Sequence, residues 1–226
     1  MLSTMPENPD AEGHTSAGPG VSGVLLRLAC NWRQIDDGVA LAGQGLRPSV
    51  RVLLQHERVR AIINLRGANA AKAWYRAEVA DCAELGIAHH DVRLSSRRLP
   101  HRKTLLMLLD AFDTLERPLL IKCAGGVDRS AFAAALLRLH RRGAGGIVQV
   151  RRDLQRPRLR HLYRPEQRWI RAFPEFYEET RGRLSFRDWI GDIYTARAFE
   201  DHLLMRGLAG AWRTGPLEPV LLEPAE

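Results

Sequence analysis

Short apolar runs alternate with longer stretches of helical periodicity through the first two thirds of the chain. AIINL (61–65) reads as a buried strand, and the preceding SVRVLLQHER has helical composition after Pro48. AWYRAEVADCAEL (73–85) predicts a helix stopped by Gly86, followed by a strand in IAHHDVRL (87–94). After Pro100, the residues Leu105, Leu108, Leu109, Phe112 and Leu115 recur on one helical face. Pro118 stops that helix and opens the strand PLLIK. From Ser130 to Arg142 a further helix carries Phe132, Leu136 and Leu139 along one side, while Ala131, Ala133, Ala134 and Ala135 are small enough to let it lie close to a sheet.

This alternation predicts an α/β domain: a mainly parallel central sheet flanked by helices. GGIVQVRRDL and the aromatic-rich stretch 165–206 read as helical with no further clear strand, so a C-terminal helical segment is added to the sheet. The expected organisation is a disordered tail over 1–20, a core over 21–145, a helical extension packed on the core over 146–210, and a flexible tail over 211–226.

Composition narrows the picture. Of 226 residues, 45% are hydrophobic and 27% charged, which suits a globular protein of one substantial domain. The net charge of +8 rests almost entirely on arginine, since only Lys72, Lys103 and Lys122 are lysine. Such a balance favours anionic partners. Cys30, Cys82 and Cys123 are an odd number with no close pair, so neither a disulfide framework nor a zinc site is expected. The N-terminal stretch has no apolar secretory core, and no apolar run approaches the ~20 residues that span a bilayer. A reducing, cytoplasmic location is therefore expected, with no integral membrane segment.

Candidate chemistry concentrates in CAGGVDRS (123–130), between the strand PLLIK and the alanine-rich helix. In an open parallel sheet, ligands bind beyond the carboxyl ends of strands, where a helix N-terminus presents free N–H groups and a positive dipole end. Gly125 and Gly126 let the backbone of Ala124, Gly125, Gly126, Val127 and Asp128 turn its amides inward as an anion nest. Cysteines in such settings have pKa values of ~3.5 to 7.5 and act as nucleophiles at neutral pH. Arg129 can fold its planar fork over the loop to bind two phosphoryl oxygens, and Ser130 can hydrogen-bond the sulfur.

Cys-x5-Arg followed by Ser, between a buried strand and a helix, resembles the signature of the cysteine-based protein tyrosine and dual-specificity phosphatases. AGQ (42–44), AIINLRG (61–67), ELGIAHHDVRLSS (84–96) and RPLLIKCAGGVDRSA (117–131) look, in order and spacing, like a bacterial branch of the dual-specificity-like group, over roughly residues 24 to 145. The resemblance implies a hydrolase that dephosphorylates through a phosphocysteine, with no metal or cofactor, acting on phosphorylated protein or on phosphorylated inositol or lipid. The family usually has His before the cysteine, where this chain has Lys122. Its acid is usually an Asp some thirty residues upstream. Asp91 stands 32 residues before Cys123, while Asp128 resembles a loop acid of phosphoinositide phosphatases, so two candidates remain.

Arg66 leaves the strand AIINL at the expected phosphate face and is a candidate for a second phosphate or for orienting the loop. His89 and His90 are adjacent on a strand and face opposite ways, which argues against a metal pair. Trp169, Phe173, Phe176, Tyr177, Phe186, Trp189 and Tyr194 suit either a layer covering the domain or a surface for a membrane or partner. The basic run RRDLQRPRLRHLYR (151–164) suits a solvated face or the guidance of anionic substrates. Rival readings are a rhodanese-like sulfurtransferase, a catalytically dead phosphate-binding module, and a nucleic-acid binder, for which no fold motif is present.

Overall fold

The computed structural model describes residues 21–45, 47–155 and 164–213. The expected tail over 1–20, most of the expected tail over 211–226 and the middle of the basic run 151–164 lie outside the described residues. Five strands form one sheet: β1 (Arg33–Asp36), β2 (Val39–Ala42), β3 (Ala61–Asn64), β4 (Ala88–Asp91) and β5 (Leu119–Lys122). Their order is β1-β2-β5-β3-β4; β1 runs antiparallel to β2, and all other neighbours are parallel. The mainly parallel sheet expected from the strand–helix alternation is thus present.

β5 lies between β2 and β3, so the loop that follows it emerges between the ends of two other strands. That is the switch-point crevice where such sheets bind ligands. β2, β3 and β5 are buried along their whole length, as strands covered on both faces must be. β1 and β2, which the apolar pattern does not announce, are only four residues each; RQID is polar at an edge and VALA is too short to show a period. The strand predicted over 87–94 is confined to Ala88–Asp91.

Strand alternation sends side chains to two different layers. Val39, Leu41, Ala61, Ile63, Leu119 and Ile121 face α4 (Arg102–Thr114) and α5 (Asp128–Arg142) in the larger cluster. Ala40, Ala42, Ile62 and Leu120 face α2 (Arg47–His56) and α3 (Ala73–Leu85) in the smaller one, with Leu54, Val59 and Cys82. α1 (Val21–Ala29) packs on α2. As predicted, α3 ends at Gly86, which adopts φ +64 so that its N–H reaches back to the last carbonyls.

The C-terminal segment is α6 (Ile147–Gln155), α7 (Trp169–Thr180), α8 (Phe186–Asp192) and α9 (Ala196–Met205). Its aromatic residues belong to the same buried cluster as α4 and α5, not to a surface. Phe173 is the centre: its ring lies 5.0 Å from Phe132 of α5, 5.8 Å from Trp189 and 5.5 Å from Phe199, all edge to face. Such contacts join dispersion to ring electrostatics over an area that is wholly dry. Phe173→Ala is expected to lower the free energy of unfolding by about 3–5 kcal/mol in urea titrations. A loss below about 1 kcal/mol would show that the extension does not share the core.

One polar group interrupts the apolar layer under α3. Lys122, fully buried, turns its ammonium to the carboxylate of Glu78, itself 6% exposed. The other Glu78 oxygen meets His89 Nε2 at 3.0 Å, and Gln44 Nε2 donates to the first at 3.1 Å. Burial works against the charge of Glu78, but His89 and Lys122 outweigh it and draw the carboxyl from its ordinary 4.5 down to about 2. Because the folded value is the lower one, this group's contribution to stability is present above about pH 4.5 and is lost as pH falls toward 2. Thermal melts of the native chain and Glu78→Gln are therefore expected to differ at neutral pH and to converge on acidification; parallel curves would exclude the pair from acid unfolding. Removing one partner of a buried pair typically costs about 3–5 kcal/mol. Lys122→Met should cost that much, and Lys122→Met with Glu78→Met less; equal or greater loss in the double variant would contradict the coupling.

Candidate active site

The cysteine loop begins where β5 ends. Cys123 N–H donates to Ala42 O at 3.3 Å, and Leu65 N–H donates to Lys122 O at 2.8 Å, so both neighbouring strands grip the start of the loop. Gln44 N–H then donates to Ala124 O at 2.9 Å. Cys123 Sγ is buried and accepts from Gly126 N–H at 3.2 Å and from the Ser130 hydroxyl at 3.1 Å. Backbone amide, helix start and hydroxyl thus converge on one sulfur.

Gly126 is the position that needs glycine. Its φ is +67, and a Cβ there would stand 2.5 Å from Gly43 N and 2.6 Å from Ala42 C. Gly125, read from the sequence as equally necessary, has no positive φ and open space around it. Gly43 serves the same contact from the other side, since its Cβ would meet the Gly125 backbone at 3.1 Å. The loop lies directly against the end of β2.

The carbonyls of Gly125 and Gly126 point away from the sulfur, and two side chains meet them with three hydrogen bonds. Asn31 Nδ2 donates to Gly125 O and Gly126 O at 3.0 and 3.2 Å, and Arg33 Nη2 donates to Gly126 O at 2.7 Å. Leaving the carbonyl of the buried Gly126 without a partner would cost about 1–3 kcal/mol, so this collar favours the observed orientation of the loop. Neither residue is found by motif reading; both act across more than ninety residues of sequence.

At the rim, Arg129 Nη1 donates to Leu65 O at 3.3 Å. Arg66 follows directly, its Nη1 on Gln44 Oε1 at 2.9 Å and its guanidinium carbon 3.4 Å from the centre of the Trp74 ring. Gln44 Oε1 also accepts from Lys122 Nζ at 3.0 Å. Gln44 therefore ties Arg66 and the buried Lys122–Glu78 pair to the loop. Burial holds Arg66 below the usual arginine range, and the neighbouring Arg129 charge pushes the same way.

The two acids lie in different places. Asp91 ends β4 in register with Asn64, which is in register with Lys122, so its side chain belongs to the α3 face of the sheet. Its carboxylate accepts from Asn64 Nδ2 at 2.7 Å and from the Tyr75 hydroxyl, with His89 Nδ1 at 3.7 Å. Burial and Asp91 together hold the Tyr75 hydroxyl above its ordinary range. Asn64 Oδ1 in turn accepts from Arg66 N–H at 3.1 Å, so Asp91 braces the turn that carries Arg66. Asp128 opens α5, and Gln167 Nε2 donates to its Oδ2 at 3.1 Å. The same amide donates to Ser96 Oγ at 3.2 Å, while Trp169 Nε1 donates to Ser96 O at 2.9 Å. The C-terminal extension thereby reaches the site through Gln167, a residue that no motif in the sequence singles out. Among the described residues no cluster of His, Cys, Asp and Glu is suited to a metal ion, and His89 is absorbed into the Glu78 network.

No protein-family model matches the chain, and no curated protein matches it in sequence. Among solved structures it is similar to PTPMT1, with 18% identity, 67% of this chain and 97% of that chain covered, and a TM-score of 0.50. It is also similar to a putative phosphatase from Shewanella putrefaciens CN-32, at 14% identity, 68% and 97% coverage and a TM-score of 0.49. A third is the core catalytic domain of the PP-IP phosphatase SIW14 from S. cerevisiae, solved with citrate, at 13% identity, 79% and 94% coverage and a TM-score of 0.44. No helix among the described residues is long and apolar enough to cross a membrane. The chain has the α/β fold of the PTPMT1 structure, with its cysteine loop at the carboxyl end of the central strand.

Proposed function

We propose that the chain is a cysteine-dependent phosphatase of the protein tyrosine and dual-specificity type, hydrolysing phosphate monoesters of a phosphorylated protein without metal or cofactor. The observation that carries this reading is the sulfur of Cys123, held between the Gly126 amide and the Ser130 hydroxyl in a loop followed by Arg129. Amides of Ala124, Gly125, Gly126, Val127 and Asp128, with the Arg129 fork, surround the non-bridging oxygens of the phosphoryl group.

In the first step the Cys123 thiolate attacks phosphorus, the bond from phosphorus to the leaving oxygen breaks, and an acid delivers a proton to that oxygen. We assign the proton to Asp128. Asp91 sits on the α3 face of the sheet, whereas Asp128 opens the helix that carries Arg129, the residue next to it in the loop. In the second step Asp128 takes a proton from water, the water oxygen bonds to phosphorus, and the phosphorus–sulfur bond breaks. Ser130 donates to the departing sulfur, and free phosphate leaves.

Purified protein is expected to hydrolyse an aryl phosphate in the presence of a chelator, with vanadate competing for the site and Cys123→Ser reducing turnover at least about 10³-fold. Persistence of hydrolysis in Cys123→Ser would sink the mechanism; binding of phosphate by the native chain without turnover would identify a catalytically dead phosphate-binding module instead.

Asp128→Asn is expected to lower kcat by about 10²-fold and to remove the basic limb of the kcat/KM profile, because that limb reports loss of the acid's proton. If Asp91→Asn removes the limb and Asp128→Asn leaves it, the assignment reverses.

A further inference from the structure

Two arginines, Arg66 and Arg129, belong to the mouth of the cysteine loop, near enough for the charge of one to act on the other. Arg129 docks on the carbonyl of Leu65, the residue directly before Arg66. Among the described residues neither Arg66 nor Arg129 forms an ion pair with a carboxylate, although most arginines of this chain that hold a fixed place do so. Arg66 spends one nitrogen on Gln44, and its Nε and Nη2 meet no acceptor among the described residues. The Arg129 charge works against that of Arg66 while the buried Glu78 favours it, without an ion pair to either, and other contacts hold the arrangement in place.

Those contacts are unusually well built for a rim arginine. Trp74 lies under the guanidinium plane at 3.4 Å, Gln44 holds its edge, and Asn64 fixes its backbone N–H. Gln44 is held in turn by Lys122 and Glu78, which are buried, and its own N–H binds Ala124 of the loop. The position of Arg66 is thereby set relative to the loop before any ligand arrives, and a planar fork with open donors is the geometry that pairs with a phosphate. A single phosphoryl group in the cradle already has the loop amides and Arg129 for its three free oxygens. Arg66, resting on an aromatic face outside the loop, adds a second place.

We infer that Arg66, seated on Trp74 and pinned by Gln44, is a subsite for a second phosphate group on the substrate, adjacent to the one that Cys123 attacks. The subsite rests on the reading of the Cys123 loop as a phosphoryl cradle. It assigns the substrate class as phosphate monoesters that carry a second phosphate close by on the same molecule, on a neighbouring carbon or a neighbouring side chain. An isolated phosphate on a neutral scaffold fills only half of the site.

Orthophosphate and pyrophosphate are sufficient probes. Their dissociation constants are measured by calorimetry on Cys123→Ser protein in metal-free buffer, and their inhibition constants against an aryl phosphate on the native chain. Pyrophosphate is expected to bind at least about ten-fold tighter than orthophosphate, a charge-assisted contact being worth about that factor or more. Arg66→Ala should cut this ratio by about ten-fold, with Arg66→Lys intermediate, since an ammonium restores the charge without the fork. Trp74→Leu, which leaves the cation but removes its seat, should cut it by about three-fold and serves if Arg66→Ala does not fold, as judged by circular dichroism. Arg60→Ala removes one positive charge at the opposite end of β3 and should leave the ratio in place. A ratio unchanged by Arg66→Ala, whether both affinities stay or both fall together, overturns the subsite; so does an equal effect of Arg60→Ala, which would make it a matter of overall charge. If the ratio behaves as expected while the native chain hydrolyses nothing, the catalytic reading fails and the subsite stands.

Discussion

The closest backbone approach in the site governs its chemistry. Gly126 lies so near the end of β2 that neither it nor Gly43 leaves room for a side chain, and this contact decides which way the peptide planes between Cys123 and Asp128 turn. The Gly126 amide faces the sulfur, and the Gly125 and Gly126 carbonyls face out to Asn31 and Arg33. The shape of the loop is therefore a consequence of sheet order: because β5 lies between β2 and β3, the loop has a strand end to lean on. β1, an antiparallel edge strand of little apparent importance, supplies Arg33 to the same collar.

A second constraint comes from the charge placed directly before Cys123. A lysine at the end of a buried central strand cannot reach water, so it needs an acid, and Glu78 provides one from α3. The pair then organises its neighbours: Gln44 and His89 complete the hydrogen bonds of Glu78, and Gln44 carries the arrangement out to the rim. Where the phosphatase signatures that the loop resembles usually have a histidine, this chain has a longer side chain, an ammonium set against Glu78, and an extended polar layer behind the loop. Asp91 belongs to that layer through Asn64, Tyr75 and His89.

The parts legible in the sequence were those specified locally. The spacing from Cys123 to Ser130, the flanking strand and helix, the stop of α3 at Gly86 and the apolar face of α4 each depend on neighbours a few residues away, and each stands as the residues imply. β1 and β2 were not legible because four residues carry too little periodicity. The collar and the Gln167 bridge were not legible because a side-chain donor and a carbonyl ninety or forty residues apart leave no pattern in either stretch. Asp91 shows what spacing leaves open. Its distance from Cys123 suits an acid, but only the strand register reveals which face of the sheet its carboxylate occupies.

Gln167 holds Ser96 and Asp128 in one amide, next to Trp169 on the same segment, and Phe173 beyond it fills the space over Phe132. The boundary near residue 145, where recognisable motifs stop, is therefore no boundary for folding. A fragment cut there would open a dry aromatic interior to water and release the loop after β4 together with the first turn of α5. In this protein the minimal unit that can keep its site in shape is nearly the whole described chain, and any homologue with a shorter C-terminal region must seal the same helix by other means.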